Sequence, residues 1–328
     1  MNSSATILVT GGAGYIGSHT VDLLIRRGFN PVVVDNLSKG YRRNVSPDRL
    51  HVFDIAETSR LAALMTELKV EAVIHFAAFI AVGESVGEPE IYFRNNIGGT
   101  LSLVEAMRRA GIRRLVFSSS AAVYGNPERV PVAEDAPFAP VSPYGESKAA
   151  VERILGWLDR CRGVRSIALR YFNACGASPD ARLGEEHVPE THLIPLVLRA
   201  VRTGEPVTIF GRDYPTPDGT CIRDYIHVCD LAEAHVAALE ALSSGAPSGA
   251  FNVGTGAGHS VLEVLRAAEE VTGSRVPHRF GERRAGDPPV LVADSSRLQR
   301  AFAWRPRYTS LVDIVATAWE FEKRRTKL

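Results

Sequence analysis

An excess of charge of either sign is missing from this chain: 38 Lys+Arg stand against 37 Asp+Glu in 328 residues, a net charge of +1. So close a balance excludes the broadly basic surface that holds nucleic acid, and also an acidic tail, so bulk electrostatics do not identify a partner. Cysteine is scarce. Cys161, Cys175, Cys221 and Cys229 are widely separated and form no Cys-x-x-Cys pair, which argues against a disulfide framework and a thiolate zinc site; the expectation is reduced thiols and no metal. Long apolar runs are lacking as well. Nothing approaches the ~18 residues that span a bilayer, and the N-terminus enters Ile7-Leu8-Val9-Thr10 without the basic region and long apolar core of a signal peptide, so a cytoplasmic protein with no membrane partner is expected. The remaining composition, 45% hydrophobic and 23% charged, is that of an ordinary globular protein, and the length suits about two domains.

Short β-branched runs recur along the first half: Ile7-Leu8-Val9, Pro31 to Val34, His51-Val52-Phe53, Ala72-Val73-Ile74, Leu115-Val116-Phe117 and Ser166 to Leu169. Segments of helical period, such as Ser18 to Arg27 and Gly99 to Ala110, lie between them. Near-continuous apolar strands alternating with helices predict a parallel sheet covered on both faces. After residue 172 the pattern loosens into Pro- and Gly-rich stretches. This gives an α/β fold with domains 1–172 and 173–328, in which Gly249 to Val253 and Val290 to Ala293 are candidates to return to the first sheet.

Gly11, Gly14 and Gly17 follow the first strand and open the first helix. Such a turn needs unusual dihedrals, and a Cβ would obstruct a pyrophosphate approaching the backbone and the helix N-terminus. Asp35 ends the second strand, where a carboxylate can accept hydrogen bonds from ribose hydroxyls. Negative charge at Asp35, with no arginine in Asn36-Leu37-Ser38, disfavours a 2′-phosphate. The turn and the carboxylate together predict NAD on a Rossmann-like, doubly wound sheet.

Ser118-Ser119-Ser120 follows the fifth strand, and Tyr144-x-x-x-Lys148 opens the next helix. Side chains at i and i+4 share a helix face, here at the sheet edge where such folds bind ligands. Tyr144 can act as a base near neutral pH only if its pKa falls by roughly 3 units, and the cations Lys148 and oxidised nicotinamide would favour that. Ser120 would bond the reacting hydroxyl.

These motifs resemble the extended short-chain dehydrogenase/reductase superfamily. Val73 to Ala78, Ala81 to Val86, Arg170-Tyr171-Phe172-Asn173, Asp213 to Thr216 and Arg223 to Val228 narrow the resemblance to the UDP-glucose (UDP-galactose) 4-epimerase family. It implies a smaller C-terminal substrate domain, a homodimer packed through the helices near Gly99 to Ala110 and Lys148 to Asp159, and NAD-dependent inversion at C4 of a UDP-hexose through a 4-keto sugar. The implied NAD site comprises Tyr15, Ile16, Asp35, Asn36, Asp54, Ile55, Phe76, Ala77, Ala78, Asn95, Tyr144, Lys148 and Phe172 beside the glycines. Core packing for Ile16 and Ile55 and helix capping for Asn95 are the competing readings. The implied UDP-sugar contacts are Ser120, Asn173, Leu193, Phe210, Arg223, Arg284 and Asp287; Phe210 in the core and the arginines as surface charges are the alternatives.

Related dehydratases carry an Asp-Glu pair where this chain has Ala121 and Ala122, which disfavours water elimination. The resemblance has three departures. Ile80 stands where a lysine is frequent beside the cofactor, His192 replaces a frequent asparagine at the sugar end, and Leu291 occupies a position often held by tyrosine. A side chain shorter than tyrosine there suits N-acetylhexosamines or a shift towards pentoses, so a 4-epimerase of UDP-GlcNAc/UDP-GalNAc or UDP-pentoses is the second reading. The third, from another class, is a non-catalytic NAD-sensing protein; intact Ser120, Tyr144 and Lys148 disfavour it.

Overall fold

The computed structural model describes residues 5–284 and 286–325. Its centre is a sheet built in sequence order from β1 (Thr6–Thr10), β2 (Asn30–Asp35), β3 (Leu50–Val52), β4 (Ala72–His75), β5 (Arg114–Ser118) and β6 (Arg165–Tyr171). Three further strands follow: β7 (Asn173–Cys175), β8 (Val207–Phe210) and β9 (Ile222–His227). Then β10 (Gly249–Val253) pairs parallel with β6 and completes a seven-stranded sheet of order β10-β6-β5-β4-β1-β2-β3.

Strand alternation distributes the apolar side chains to two cores. Ile7, Val9 and Val33 face the helices Tyr15–Arg26 and Val228–Ser243, with Leu24 and Leu239 among the contacts. Leu8, Val32 and Val34 face the opposite side, where Leu61, Leu103, Met107 and Val151 come from the helices Thr58–Glu67, Gly99–Arg109 and Pro143–Arg162. The result is a three-layer α/β/α body.

A smaller assembly carries its own core, including Ile194, Val197, Ile209, Val264 and Ile314. In it β9 pairs with β7, with β11 (Gly258–Ser260) and with β13 (Val290–Leu291), while β8 pairs with β12 (His278–Gly281). Of the two segments expected as candidates for the main sheet, Gly249 to Val253 does join it. Val290-Leu291 instead pairs with Ile222-Arg223 of β9, and Ala293 bridges Val132. The main sheet's edge beside β6 is already taken by β10.

Asp224 fastens this region. Its fully buried carboxylate accepts from Thr255 N and Thr255 Oγ1, both at 2.8 Å, Gly256 N at 3.0 Å and Ala293 N at 3.1 Å. Burial raises its pKa, against the lowering effect of those donors. Asp224→Asn turns an NH2 group towards backbone donors, and is expected to cost about 1.5–3 kcal/mol in chemical denaturation. An unchanged midpoint would show that these contacts contribute nothing to stability.

Candidate active site

The glycine turn shows why each glycine is needed. Gly11 has φ +72°, and a Cβ on it would lie 2.6 Å from Ala77 N. On Gly17 it would lie 2.3 Å from Gly11 O, so this glycine lets helix and strand close together. Gly14 differs: an added Cβ would meet only Gly11 O, at 3.3 Å, leaving its side of the turn open. Gly14 is also the N-cap of Tyr15–Arg26 and offers no side chain to the first-turn N–H groups. An open face over uncapped N–H groups suits a diphosphate.

Asp35, 7% exposed, accepts from Ala13 N at 3.0 Å and Leu37 N at 2.8 Å, one bond to each oxygen. Burial nevertheless raises its pKa, and each oxygen retains a lone pair for a ribose hydroxyl. Asn36 Nδ2 donates to Asp54 Oδ2 at 2.8 Å, joining the ends of β2 and β3. These features fit a dinucleotide.

The other residues expected at the cofactor divide between surface and core. Phe76 N and Ala77 N both donate to Thr10 O, at 2.9 and 3.1 Å, which holds Phe76 to Ala78 beside the glycine turn. Phe76 also packs on His235, centroids 4.6 Å apart. Ile16 packs against one core and Ile55 lies in the other, and Phe172 is buried beside Val123 and Ala149. Tyr15 is buried and donates to Gly176 O at 2.7 Å. Asn95 lies within a π-helical turn, Phe93–Gly98, and donates to Asn96 Oδ1 at 2.9 Å; it is not a cap. Ile80 is exposed.

Tyr144 is placed by helix chemistry. Ser142 caps Pro143–Arg162 by accepting from Gly145 N at 3.2 Å, Pro143 suits the first turn, and Gly163 closes the other end at φ +64°. Tyr144 and Lys148 are both buried. Lys148 Nζ donates to Ser118 O at 2.8 Å and lies 5.9 Å from the Tyr144 ring centroid. Ser120 follows β5, its hydroxyl accepting from Ala122 N at 3.1 Å.

Burial drives the two pKa values apart from their usual ranges. It lowers Lys148 to about 7, against the raising effect of Glu152. It raises Tyr144 well above its usual value, Tyr171 adding to the rise and a hydrogen bond with Ser120 opposing it. The downshift required of a base is thus the reverse of what the protein pocket alone imposes.

Behind Lys148 lies a polar chain whose members the sequence motifs do not connect. Glu152 is one helical turn further on, paired with Arg170 at 2.7 Å, the two side chains 6% and 7% exposed. Arg170 Nη1 donates to Tyr124 Oη at 2.9 Å, and Tyr124 donates to Asn252 Oδ1 at 2.7 Å. Asn96 is similarly hidden: it accepts from Phe79 N at 2.9 Å and donates to Ser147 at 3.0 Å. Their signal was burial of polar types within apolar segments, which sequence alone does not separate from a solvated face.

Four of the expected substrate residues, Asn173, Arg223, Asp287 and Leu291, lie on or against β9. Arg223 pairs with Asp287 at 3.4 Å and donates to Pro288 O at 2.8 Å. Leu291 stands opposite Arg223 in register, and Asn173 Nδ2 donates to Asp224 O at 3.1 Å. Exposed Arg284 lies 4.0 Å from the Phe210 ring centroid, and Phe210 is itself 36% exposed, so it is not core. Leu193 opens the helix Leu193–Thr203. His192 departs from this group, its Nδ1 lying 2.7 Å from Glu185 Oε1.

A glycine turn, a strand-ending carboxylate and a buried Tyr-x-x-x-Lys pair at one edge of a parallel sheet define a dinucleotide-dependent enzyme. The chain belongs to the NAD dependent epimerase/dehydratase family, whose profile matches residues 7–254. It is similar to a UDP-glucose 4-epimerase of Lacticaseibacillus casei, 48% identical over 97% of each chain. Among solved structures it resembles UDP-glucose 4-epimerase from Brucella ovis in complex with NAD, with 46% identity, a TM-score of 0.94, and coverage of 97% of this chain and 98% of that one. It also resembles UDP-glucose-4-epimerase from Stenotrophomonas maltophila with bound NAD and formylated UDP-arabinopyranose, with 42% identity, a TM-score of 0.95, and coverage of 98% and 99%.

Proposed function

We propose that this chain is an NAD-dependent 4-epimerase of UDP-hexoses, interconverting UDP-glucose and UDP-galactose through a 4-keto sugar. The observation that carries this reading is the buried Tyr144 and Lys148 on one helix face, with Ser120 at the end of β5. Residues up to about 172 serve the cofactor and the remainder serves the nucleotide sugar, with β10 and the helix Val228–Ser243 belonging to the first body.

Bound NAD, lodged on Gly11 to Gly17, Asp35, Phe76 to Ala78 and Lys148, would supply a hydride acceptor for C4 and a positive nicotinamide. Tyr144 takes the proton of the sugar 4-hydroxyl and later returns it to the same oxygen. Ser120 donates to that oxygen as charge develops, and Lys148 stabilises the phenolate. Arg223 and Arg284 hold the diphosphate, where a fixed guanidinium fork suits phosphate oxygens, and Asp287 suits ribose hydroxyls. Because these anchors lie on the nucleotide, the 4-keto sugar can turn and present its other face. Ala121 and Ala122 offer no acid or base to divert it to elimination.

Purified protein given UDP-galactose should form UDP-glucose with no added reductant, followed by chromatography; no conversion with NAD supplied overturns the proposal. UDP-GlcNAc and UDP-xylose run alongside define the substrate range. Leu291, opposite Arg223, sets that range: Leu291→Tyr should suppress N-acetylhexosamine turnover selectively, and equal loss for both substrate types counts against a gate.

No helix among the described residues is long and apolar enough to cross a membrane, which supports a cytoplasmic location. Leu101 and Trp157 are exposed on the helices Gly99–Arg109 and Pro143–Arg162, which supports a homodimer through that face.

A further inference from the structure

Between β7 and the helix Leu193–Thr203, residues 176–192 contain no helix or strand. Uninterrupted connections of this length inside a compact fold are usually functional. Here Glu185, His187, Glu190 and His192 each bring one donor atom to a common point, all within 4.8 Å of one another. His187 Nδ1 is 3.5 Å from both Glu185 Oε1 and Glu190 Oε2. His192 Nδ1 is 2.7 Å from Glu185 Oε1 and 3.4 Å from Glu190 Oε1. A tetrahedron of nitrogen and oxygen donors about 2.0–2.1 Å from zinc has edges of roughly 3.3 Å, and three of these separations lie close to that.

Two further observations point to a cation. The Glu185 and Glu190 side chains are only 6% and 11% exposed, yet among the described residues neither has a lysine or arginine partner. Glu190 Oε1 accepts from Thr191 N at 2.8 Å and His192 N at 2.9 Å, and the two histidines face the pair; buried carboxylates short of a countercharge are costly. His187 Nδ1 is itself buried without a hydrogen-bond partner, facing those same oxygens at a separation too long for a hydrogen bond. A single divalent ion answers both: it neutralises two carboxylates and occupies the lone pair of a neutral imidazole.

We propose that Glu185, His187, Glu190 and His192 form a structural site for a divalent transition-metal ion of the zinc class. Imidazole with carboxylate suits such ions, and four protein ligands complete a tetrahedron with no open position, so the site serves structure and not chemistry. It fastens the loop to the start of Leu193–Thr203. The His187 ring also meets Tyr15 edge-on, centroids 6.4 Å apart, so the same ion secures the loop over the helix that follows the glycine turn. His192, expected at the sugar, is here a ligand.

The test uses full-length, untagged protein purified without chelator and analysed for metal by mass spectrometry. The expected result is one zinc ion per chain, lost in Glu185→Gln and His187→Ala. Should either variant fail to fold, chelator-stripped wild type decides: added Co2+ should give the intense visible bands of tetrahedral coordination, and Zn2+ should restore a melting temperature lowered by stripping. Absence of both retained zinc and a Co2+ spectrum overturns the proposal and leaves an ion-pair cluster of carboxylates with protonated histidines. Metal content unchanged in two folded variants overturns it equally, by placing the ion elsewhere.

Discussion

Tyr144→Phe lowers turnover of UDP-galactose by about 10²–10⁴-fold, the usual worth of a positioned acid or base, while nucleotide affinity changes little. The substitution removes one hydroxyl from a buried ring and leaves the aromatic packing in place. Its nearest neighbours in sequence motif offer no substitute: Ser120 is not basic at neutral pH, and Ala121 and Ala122 carry no proton acceptor. Steady-state kinetics beside calorimetric titration with UDP separates the two effects. Full activity would remove Tyr144 from the role of base, whereas equal loss of binding and turnover would mean that the phenol shapes the pocket.

Lys148→Met abolishes activity to a similar degree and, unusually for a core substitution, stabilises the chain at low pH. Burial holds the native pKa of Lys148 near about 7, whereas the unfolded chain titrates at its ordinary value of 10.5. Below about pH 7 both states carry the proton and the folded state bears the full cost of a buried ammonium. Between pH 7 and 10.5 the unfolded chain binds more protons than the native one, so this group's contribution makes stability rise with pH. Methionine removes the charge while filling similar volume, so the gain should be about 2–4 kcal/mol at pH 6, less the lost bond to Ser118 O, and should fade towards pH 10. Denaturant titrations of the NAD-free wild type and variant at both pH values measure it. A difference independent of pH would show that Lys148 titrates normally. Loss of turnover with gain of stability is the signature of a site whose function requires a disfavoured charge.

What was legible in the sequence was local. The Tyr144 to Lys148 spacing declares itself because a helix brings i and i+4 together, and Asp35 because a strand end fixes where a carboxylate points. Gly249 to Val253 was readable as a returning strand from five residues of pattern, whereas Val290-Leu291 has a two-residue ladder whose partner was settled by which edges remained free. The chain from Glu152 through Arg170 and Tyr124 to Asn252 draws on four distant segments, and no window of sequence contains it. The direction of the Tyr144 pKa was equally hidden, since burial is a property of the assembled pocket. The Glu185 to His192 cluster contains no cysteine and lies in an irregular loop, so neither ligand spacing nor a helix or strand period marks it.

Strand β10 has a consequence for biosynthesis. Its partner β6 ends at Tyr171, and Gly249 follows only after β7, β8, β9 and the helices Leu193–Thr203 and Val228–Ser243 have been made. During translation β6 therefore stands as an open edge, its backbone donors and acceptors unpaired and available to other nascent chains. A fragment ending near residue 172 would keep that edge permanently, so it should aggregate instead of behaving as a free-standing cofactor module. The order of synthesis makes the last strand of the sheet the step that renders the molecule safe in a crowded cell.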